Sequence, residues 1–136
     1  MTAPIRCVVV SPERPLFDGG ADKVVVPGSR GQIGVLPRHA PLIAKLEAGV
    51  LRIHRPADEG GEILRMAISG GFVQVVHNVV TLLVTEAVIA EDVDPAATRT
   101  KLEDVREKLR HPPSDAGFVD LLAQRRSLEA QLSLVE

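Results

Sequence analysis

The chain has 136 residues, 45% hydrophobic and 25% charged, enough for one packed domain or one domain with a small appendage. Its net charge of −2, its 2% aromatic content and the lack of any Trp or Tyr exclude a basic, base-stacking nucleic-acid binder. A single cysteine excludes an internal disulfide, and no apolar run approaches the ~20 residues that a membrane span requires.

Residues 5–10 read as a strand, with Cys7 as a small buried apolar residue in its Val-rich run. The N-terminal MTAPIRCVVV lacks the basic head, long apolar run and cleavage site of a signal peptide, which implies a cytosolic setting. Ser11–Pro15 and Phe17–Gly20 read as turns, and Lys23–Val26 as a short β-branched strand closed by Pro27–Gly31. The next segment, GQIGVLPRHAPLIAKL over residues 31–46, is neither a helix nor a plain strand, because Gly34 and Pro37 interrupt it. Pro37 and Pro41 remove two backbone donors and restrict φ, so the stretch between them is a stiffened loop carrying Arg38 and His39. Such a loop is either a solvated turn between strands or a rigid surface offered to a partner.

Val50–His54 alternates, with Leu51 and Ile53 on one face. Residues 56–61 then make a hairpin connection to a return strand, Glu62–Ile68. Phe72–Val76 and Val79–Val84 are two more strands joined by the tight-turn dipeptide His77-Asn78. Many short strands without intervening helices predict a β-sandwich or barrel over residues 1–87. A linker and two helices follow over residues 88–136. Asp94-Pro95 is a helix start, and Thr98, Leu102, Val105 and Leu109 recur at helical spacing. Asp104 and Lys108 add a modest i,i+4 pair. Residues 111–114 break the helix, Ser114 or Asp115 caps a second one, and its apolar stripe is Phe118, Leu121, Leu122, Arg125, Leu128, Leu132 and Val135. The expected fold is therefore β + α, an N-terminal sandwich followed by an antiparallel helical hairpin. A hairpin of this size buries too little to stand alone, so it packs on the sandwich, on a partner, or alternately on both.

Chemistry-bearing motifs are absent: no phosphate-binding P-loop, no nucleophile elbow and no zinc-protease signature. The four histidines, His39, His54, His77 and His111, have no metal-ligand spacing. Glu86, Glu91, Asp92 and Asp94 cluster where the two parts meet, which suits a solvated linker and a helix cap. No catalytic site and no metal site are expected, and an enzyme built on the sandwich would need a pocket of converging acid–base groups.

Taken together, GVLPRHAPL, the glycine strand start at Leu46–Ile53 and SGGFVQV at residues 69–75 resemble the ε subunit family of rotary proton-translocating ATP synthases. The likeness extends over nearly the whole chain, from Val10-Ser11-Pro12-Glu13-Arg14 to the helical tail. It implies a non-catalytic rotor subunit of the central stalk that links the γ subunit to the c-ring, supports proton-coupled ATP synthesis and regulates ATP hydrolysis through the hairpin. The implied partners are γ, the c-ring and, through the helices, the catalytic α/β hexamer. The membrane is met only through the complex, at the cytoplasmic face of a bacterial plasma membrane. An organelle-encoded relative would look similar, and no Arg- and Ser-rich leader precedes the domain.

The resemblance assigns Ser29–Pro41 to the ring-facing loop, with Gln32, Arg38 and His39 as its polar contacts. Many members carry Glu where Gln32 stands, so a charge-based contact is not implied there. Arg99, Arg106, Arg125 and Arg126 fall on the regulatory hairpin. Several members bind ATP there through an [IL]-D-x-x-R-A motif and second-helix arginines. Asp94 matches that motif and Arg126 could serve the second helix, but Ala97 and Thr98 replace its arginine and alanine. Losing that arginine removes a charged hydrogen bond of roughly 1.5–3 kcal/mol, so no bound cofactor is expected. The alternative function is a free ATP-sensing protein that closes its hairpin over the nucleotide.

Overall fold

A computed structural model describes residues 3–111 and 114–136. Ten strands precede two helices: β1 Ile5–Val10, β2 Pro15–Ala21, β3 Lys23–Gly28, β4 Gly31–Val35, β5 Leu42–Leu46, β6 Gly49–His54, β7 Ile63–Ile68, β8 Gly71–Val76, β9 Val79–Val84, β10 Ala87–Val88, α1 Pro95–Arg110 and α2 Asp115–Ser133. This is the β + α architecture expected from the alternating strands and the two helical stripes. The Phe17–Gly20 turn is a correction: those residues lie inside β2, paired along their length with Val9–Arg6 of β1. The two glycines are extended backbone against the β6–β7 hairpin, where Cβ atoms on Gly19 and Gly20 would lie 2.6 Å from the side chains of Arg55 and Glu59. Residues 31–46 likewise resolve into two strands, β4 and β5, on either side of the stiff loop.

The strands form one curled sheet in the order β10-β7-β6-β3-β5-β8-β9-β1-β2, with β4 on the side of β3. β3 and β5 share only the Gly28–Leu46 pair, so the sheet folds over at that point into two layers. A transverse row marks this crease: Gly31 opposite Gly28, Gly28 opposite Leu46, Leu46 opposite Gly71, and Gly71 opposite Val84. Three of those five residues are glycine: Gly28 and Gly71 leave no room for a Cβ, whereas Gly31 has open space around it but φ 118. At Gly28 such an atom would lie 2.9 Å from the Gly31 carbonyl oxygen.

Between the layers lies one core of small and medium aliphatic side chains, including Ile5, Val9, Val24, Val26, Leu46, Leu51, Ile53, Val73, Val75 and Leu82. With so few aromatic residues, its stabilisation comes from many close-packed aliphatic contacts. Cys7 is wholly buried in it, and burial pushes its thiol up to about 12, so it is an inert core residue.

Asp94 caps α1 by accepting a hydrogen bond from the Ala97 N–H at 3.2 Å, with Pro95 at the first helical position. Ser114 caps α2 by accepting from the Gly117 N–H at 3.0 Å. The expected helix break at residues 111–114 includes Pro112 and Pro113, which lie outside the described residues. Thr98, Leu102 and Val105 are the buried stripe of α1, which packs chiefly on α2. The stripe expected for α2 is corrected in part. Phe118 is 40% exposed, whereas Ala130 and Leu134 are buried. These two meet Ala67 on the outer side of β7, with Val50, Ala90, Val93 and Val135 around them. The hairpin is thus docked on the outer face of β6 and β7, in a small cluster separate from the main core.

Candidate functional site

Three surfaces carry the residues singled out by sequence. The first is the loop between β4 and β5. The His39 N–H donates to the Leu36 carbonyl at 3.1 Å, closing a turn with Pro37 and Arg38 at its centre. Arg38 has φ 65, the left-handed conformation that the third residue of a type II turn needs and that glycine or asparagine usually supplies. For an arginine this costs about 1–2 kcal/mol. The turn is fastened from outside: the Arg38 N–H donates to Asn78 Oδ1 at 2.8 Å, and His39 Nδ1 lies 2.6 Å from the Ala40 carbonyl oxygen. Arg38 is exposed, His39 half-buried, and Leu36 is 54% exposed beside them. Gln32 is exposed at the start of β4, opposite Pro27. About 10 Å of strand separates it from Val35, where the loop begins, so β4 lies between Gln32 and the Arg38–His39 tip.

Replacing Arg38 with glycine is expected to stabilise the fold by up to ~1 kcal/mol. The relieved left-handed strain exceeds the ~0.5–1 kcal/mol that glycine adds in chain entropy. A urea midpoint that rises at constant m-value checks this, and a lower midpoint contradicts the strain.

The second surface is the outer face of the β5-β8-β9-β1-β2 layer. Alternation sends Val73, Val75, Val80, Leu82 and Val84 inward and Phe72 and Leu83 outward. Phe72 pairs with Lys45 on one side and Leu83 on the other, and Leu83 pairs with Val10. Ile43 is 77% exposed, Phe72 55% and Leu83 53%, and a shallow groove of about 320 Å³ beside Phe72 and Leu83 continues to Pro12. Phe72 and Leu83 are cross-strand neighbours and Ile43 lies one register step along the same face, an exposed apolar patch of the kind that marks an interaction surface. The row of Ile43 runs through Gln74, Thr81 and Val8 to Asp18, which accepts from Arg6 Nε and Nη2 at 3.0 and 2.8 Å, and this pair holds the Asp18 carboxyl below its ordinary range. Sequence reasoning missed this face, although the signal was there: Phe72 and Leu83 are large apolar residues at the outward positions of alternating strands, in phase with Gln74 and Thr81.

The third surface is the hairpin. Arg99 donates from Nε and Nη2 to Glu136 Oε1 at 3.1 and 2.9 Å, tying the start of α1 to the end of the chain. Arg106 lies 3.8 Å and Arg125 3.5 Å from Glu129, while Arg126 has no ion-pair partner among the described residues. These are exposed pairs worth little individually, but the two between the helices, Arg99–Glu136 and Arg106–Glu129, mark their antiparallel register. Continuing that register places Arg126 opposite Leu109, about 22 Å along the helix from Asp94. Asp94 and Arg126 are therefore not brought together, and Asp94 is engaged as a helix cap. The cleft of about 510 Å³ between hairpin and sandwich is lined by Glu86, Asp104 and Asp120 against Lys101, with no arginine.

A further cleft, of about 560 Å³, opens between β2 and β7. Its ionisable residues are Arg14, Arg65, Glu91 and Asp92, all exposed at its rim, with no histidine or cysteine in its lining. Among the described residues no group of three or more His, Cys, Asp or Glu is placed to hold a metal ion, and no helix is long and apolar enough to cross a membrane.

Residues 4–90 match the family model for the ATP synthase, Delta/Epsilon chain, beta-sandwich domain. The ATP synthase epsilon chains of Xanthomonas oryzae pv. oryzae (strain MAFF 311018) and Xanthomonas campestris pv. campestris (strain B100) are 40% and 42% identical to this chain. Each alignment spans 130 residues, 96% of this chain and 89% of the relative. Among solved structures, a chain of the Euglena gracilis mitochondrial ATP synthase, imaged with its c-ring, superposes with a TM-score of 0.85 at 25% identity over 100% of this chain and 84% of its own. A chain of the Tetrahymena thermophila mitochondrial ATP synthase central stalk and c-ring gives a TM-score of 0.66 at 11% identity over 99% and 98%, a likeness of fold.

Proposed function

The chain belongs to the ATP synthase epsilon chain family, and from that premise we propose that it is a non-catalytic rotor subunit joining γ to the c-ring, with a hairpin that restrains ATP hydrolysis. The observation that carries this reading is the division of the molecule into a stiff body and a lightly held appendage. The sandwich has a continuous core, whereas the hairpin rests on Ala67, Ala130, Leu134 and a few half-buried neighbours. A stiff body suits torque transmission, and a weakly docked element suits a switch.

In this reading Ser29–Pro41 faces the ring, with Gln32, Arg38 and His39 as polar contacts, and the Ile43–Phe72–Leu83 face receives γ. Released from β7, the hairpin presents Arg99, Arg106, Arg125 and Arg126 to the α/β hexamer, where contacts between exposed charges would weaken with salt. The complex then works at the cytoplasmic face of the bacterial plasma membrane, touching the bilayer only through the ring.

Calorimetric titration into purified γ tests the stalk role. One-to-one binding at micromolar affinity or tighter, with a negative heat-capacity change, is expected. Phe72→Asp should weaken it at least tenfold, because a charge would be desolvated in an apolar contact. No heat at any temperature would remove γ as the partner, and unchanged affinity of the variant would move the γ contact elsewhere on the sandwich.

The ATP-sensing alternative has less support. The hairpin cleft is rich in carboxylates, and the two motif residues are far apart. A triphosphate entering that cleft meets like charge. ATP titrated in place of γ is expected to give no binding below about millimolar concentration, and tighter binding would restore the alternative.

A further inference from the structure

The three non-glycine residues with positive φ among those described, Arg38, His77 and Asn78, converge on one spot. His77 and Asn78 form the two-residue β8–β9 turn, with φ 51 and 60. Both central residues of such a hairpin turn must be left-handed, which suits asparagine and burdens histidine. Asn78 then spends its whole side chain on other segments. Its Oδ1 accepts from the Arg38 N–H at 2.8 Å, and its Nδ2 donates to the Pro4 carbonyl at 3.2 Å. Its own carbonyl accepts from the Arg6 N–H at 3.1 Å. One residue therefore joins the loop tip, the start of β1 and the β8–β9 turn.

We propose that Asn78 is the positioning residue of the ring-facing tip: it holds the Pro37–Arg38 turn in its left-handed form and ties it to the sandwich, so that Arg38 and His39 meet the ring on a rigid mount. The proposal rests on the reading that this loop faces the c-ring. The physical reason is local. Arginine does not favour the left-handed conformation, and the loop makes few other backbone bonds. Without an acceptor for the Arg38 N–H, the turn would relax toward the commoner conformations and the tip would move relative to β1 and β9. Backbone strain concentrates where a surface must keep one shape, and here two strained turns are clamped by one amide.

The test uses the whole ATP synthase complex reconstituted with variant chains, reading protons pumped per ATP hydrolysed. Asn78→Ala removes both side-chain bonds. Asn78→Asp keeps an acceptor for the Arg38 N–H and tolerates positive φ. The double change Arg38→Glu and His39→Glu, which reverses the charge at Arg38 and introduces one at His39, tests the loop itself. Calorimetric γ binding and the urea midpoint serve as structural readouts for every variant. The expected result is that Asn78→Ala lowers the coupling ratio severalfold and the double change does so at least as strongly. Asn78→Asp should restore most of the coupling, with γ binding unchanged in all three. If the double change uncouples the complex while Asn78→Ala leaves coupling intact, Asn78 is not the positioning residue. If Asn78→Ala loses γ binding together with coupling and Asn78→Asp does not rescue, the residue is merely structural. Normal coupling by the doubly changed loop would overturn the ring-facing reading itself, and the positioning role with it.

Discussion

Replacing Gly71 with alanine is expected to destabilise the sandwich by about 3–4 kcal/mol, a large part of the ~5–15 kcal/mol that holds a domain of this size together. Gly71 has φ 142, a conformation open in practice to glycine alone. An added Cβ would run into the Leu83 carbonyl oxygen and lie 2.9 Å from both the Leu83 carbonyl carbon and Val84 Cα. All three atoms are backbone of the paired strand, so no side chain can swing aside. Gly71 also pairs directly with Leu46, the residue through which β5 meets β3 at the crease. The control is Gly34→Ala. Gly34 is exposed on β4, and its nearest neighbour to a new Cβ is Lys23 Cε at 3.7 Å, so the change should be near neutral. Urea unfolding of both variants decides the matter. A midpoint for Gly71→Ala within about 1 kcal/mol of the parent would mean that the crease can shift.

The second large effect concerns the hairpin, and here two changes should act in opposite directions. Leu134 is 5% exposed and seated beside Ala67 and Ala130. Burying such a side chain contributes about 1.5–3 kcal/mol, which is a major share of a contact made otherwise by alanines and half-buried valines. Leu134→Asp removes that term and adds the cost of burying a carboxylate, so the docked form should lose at least ~3 kcal/mol relative to the released form. That is a shift of more than a hundredfold in population. In the reconstituted complex the released hairpin should engage the α/β hexamer more often, and basal ATP hydrolysis should fall severalfold. Deleting residues 91–136 removes the brake altogether, so hydrolysis should rise while γ binding and proton-coupled synthesis persist. Limited proteolysis of the free chain provides a check that does not depend on activity: the hairpin of Leu134→Asp should be cut faster, and the sandwich should not. Unchanged hydrolysis in both variants would remove the regulatory role and leave the stalk role standing.

Strand alternation, the Asp94-Pro95 and Ser114 caps, and the proline-braced loop were all legible in the sequence. Each is set by local rules: side chains alternate along a strand, capping groups reach only the first turn of their own helix, and proline restricts φ wherever it stands. The motif GVLPRHAPL with SGGFVQV also carried the family. Other features needed the tertiary structure. Phe17–Gly20 looked like a turn because glycine pairs usually make one; here their missing Cβ atoms admit Arg55 and Glu59 from the opposite hairpin, a contact between residues far apart in sequence. Ala67 and Ala130 gave no hydrophobic signal, yet they hold the hairpin to β7, because small residues allow a helix to lie close on a sheet. Asn78 read only as a turn residue, and its side-chain bonds to Arg38 and Pro4 span 40 and 74 residues. By itself the sequence determined the fold class, the alternating strands from Val50 to Val84, the starts of both helices and the family, whereas β2, β4 and β5 emerged only in the fold. The fold alone decided the crease, the docking of the hairpin and the clamp on the loop, since each depends on which distant backbones pass within a few ångströms of one another.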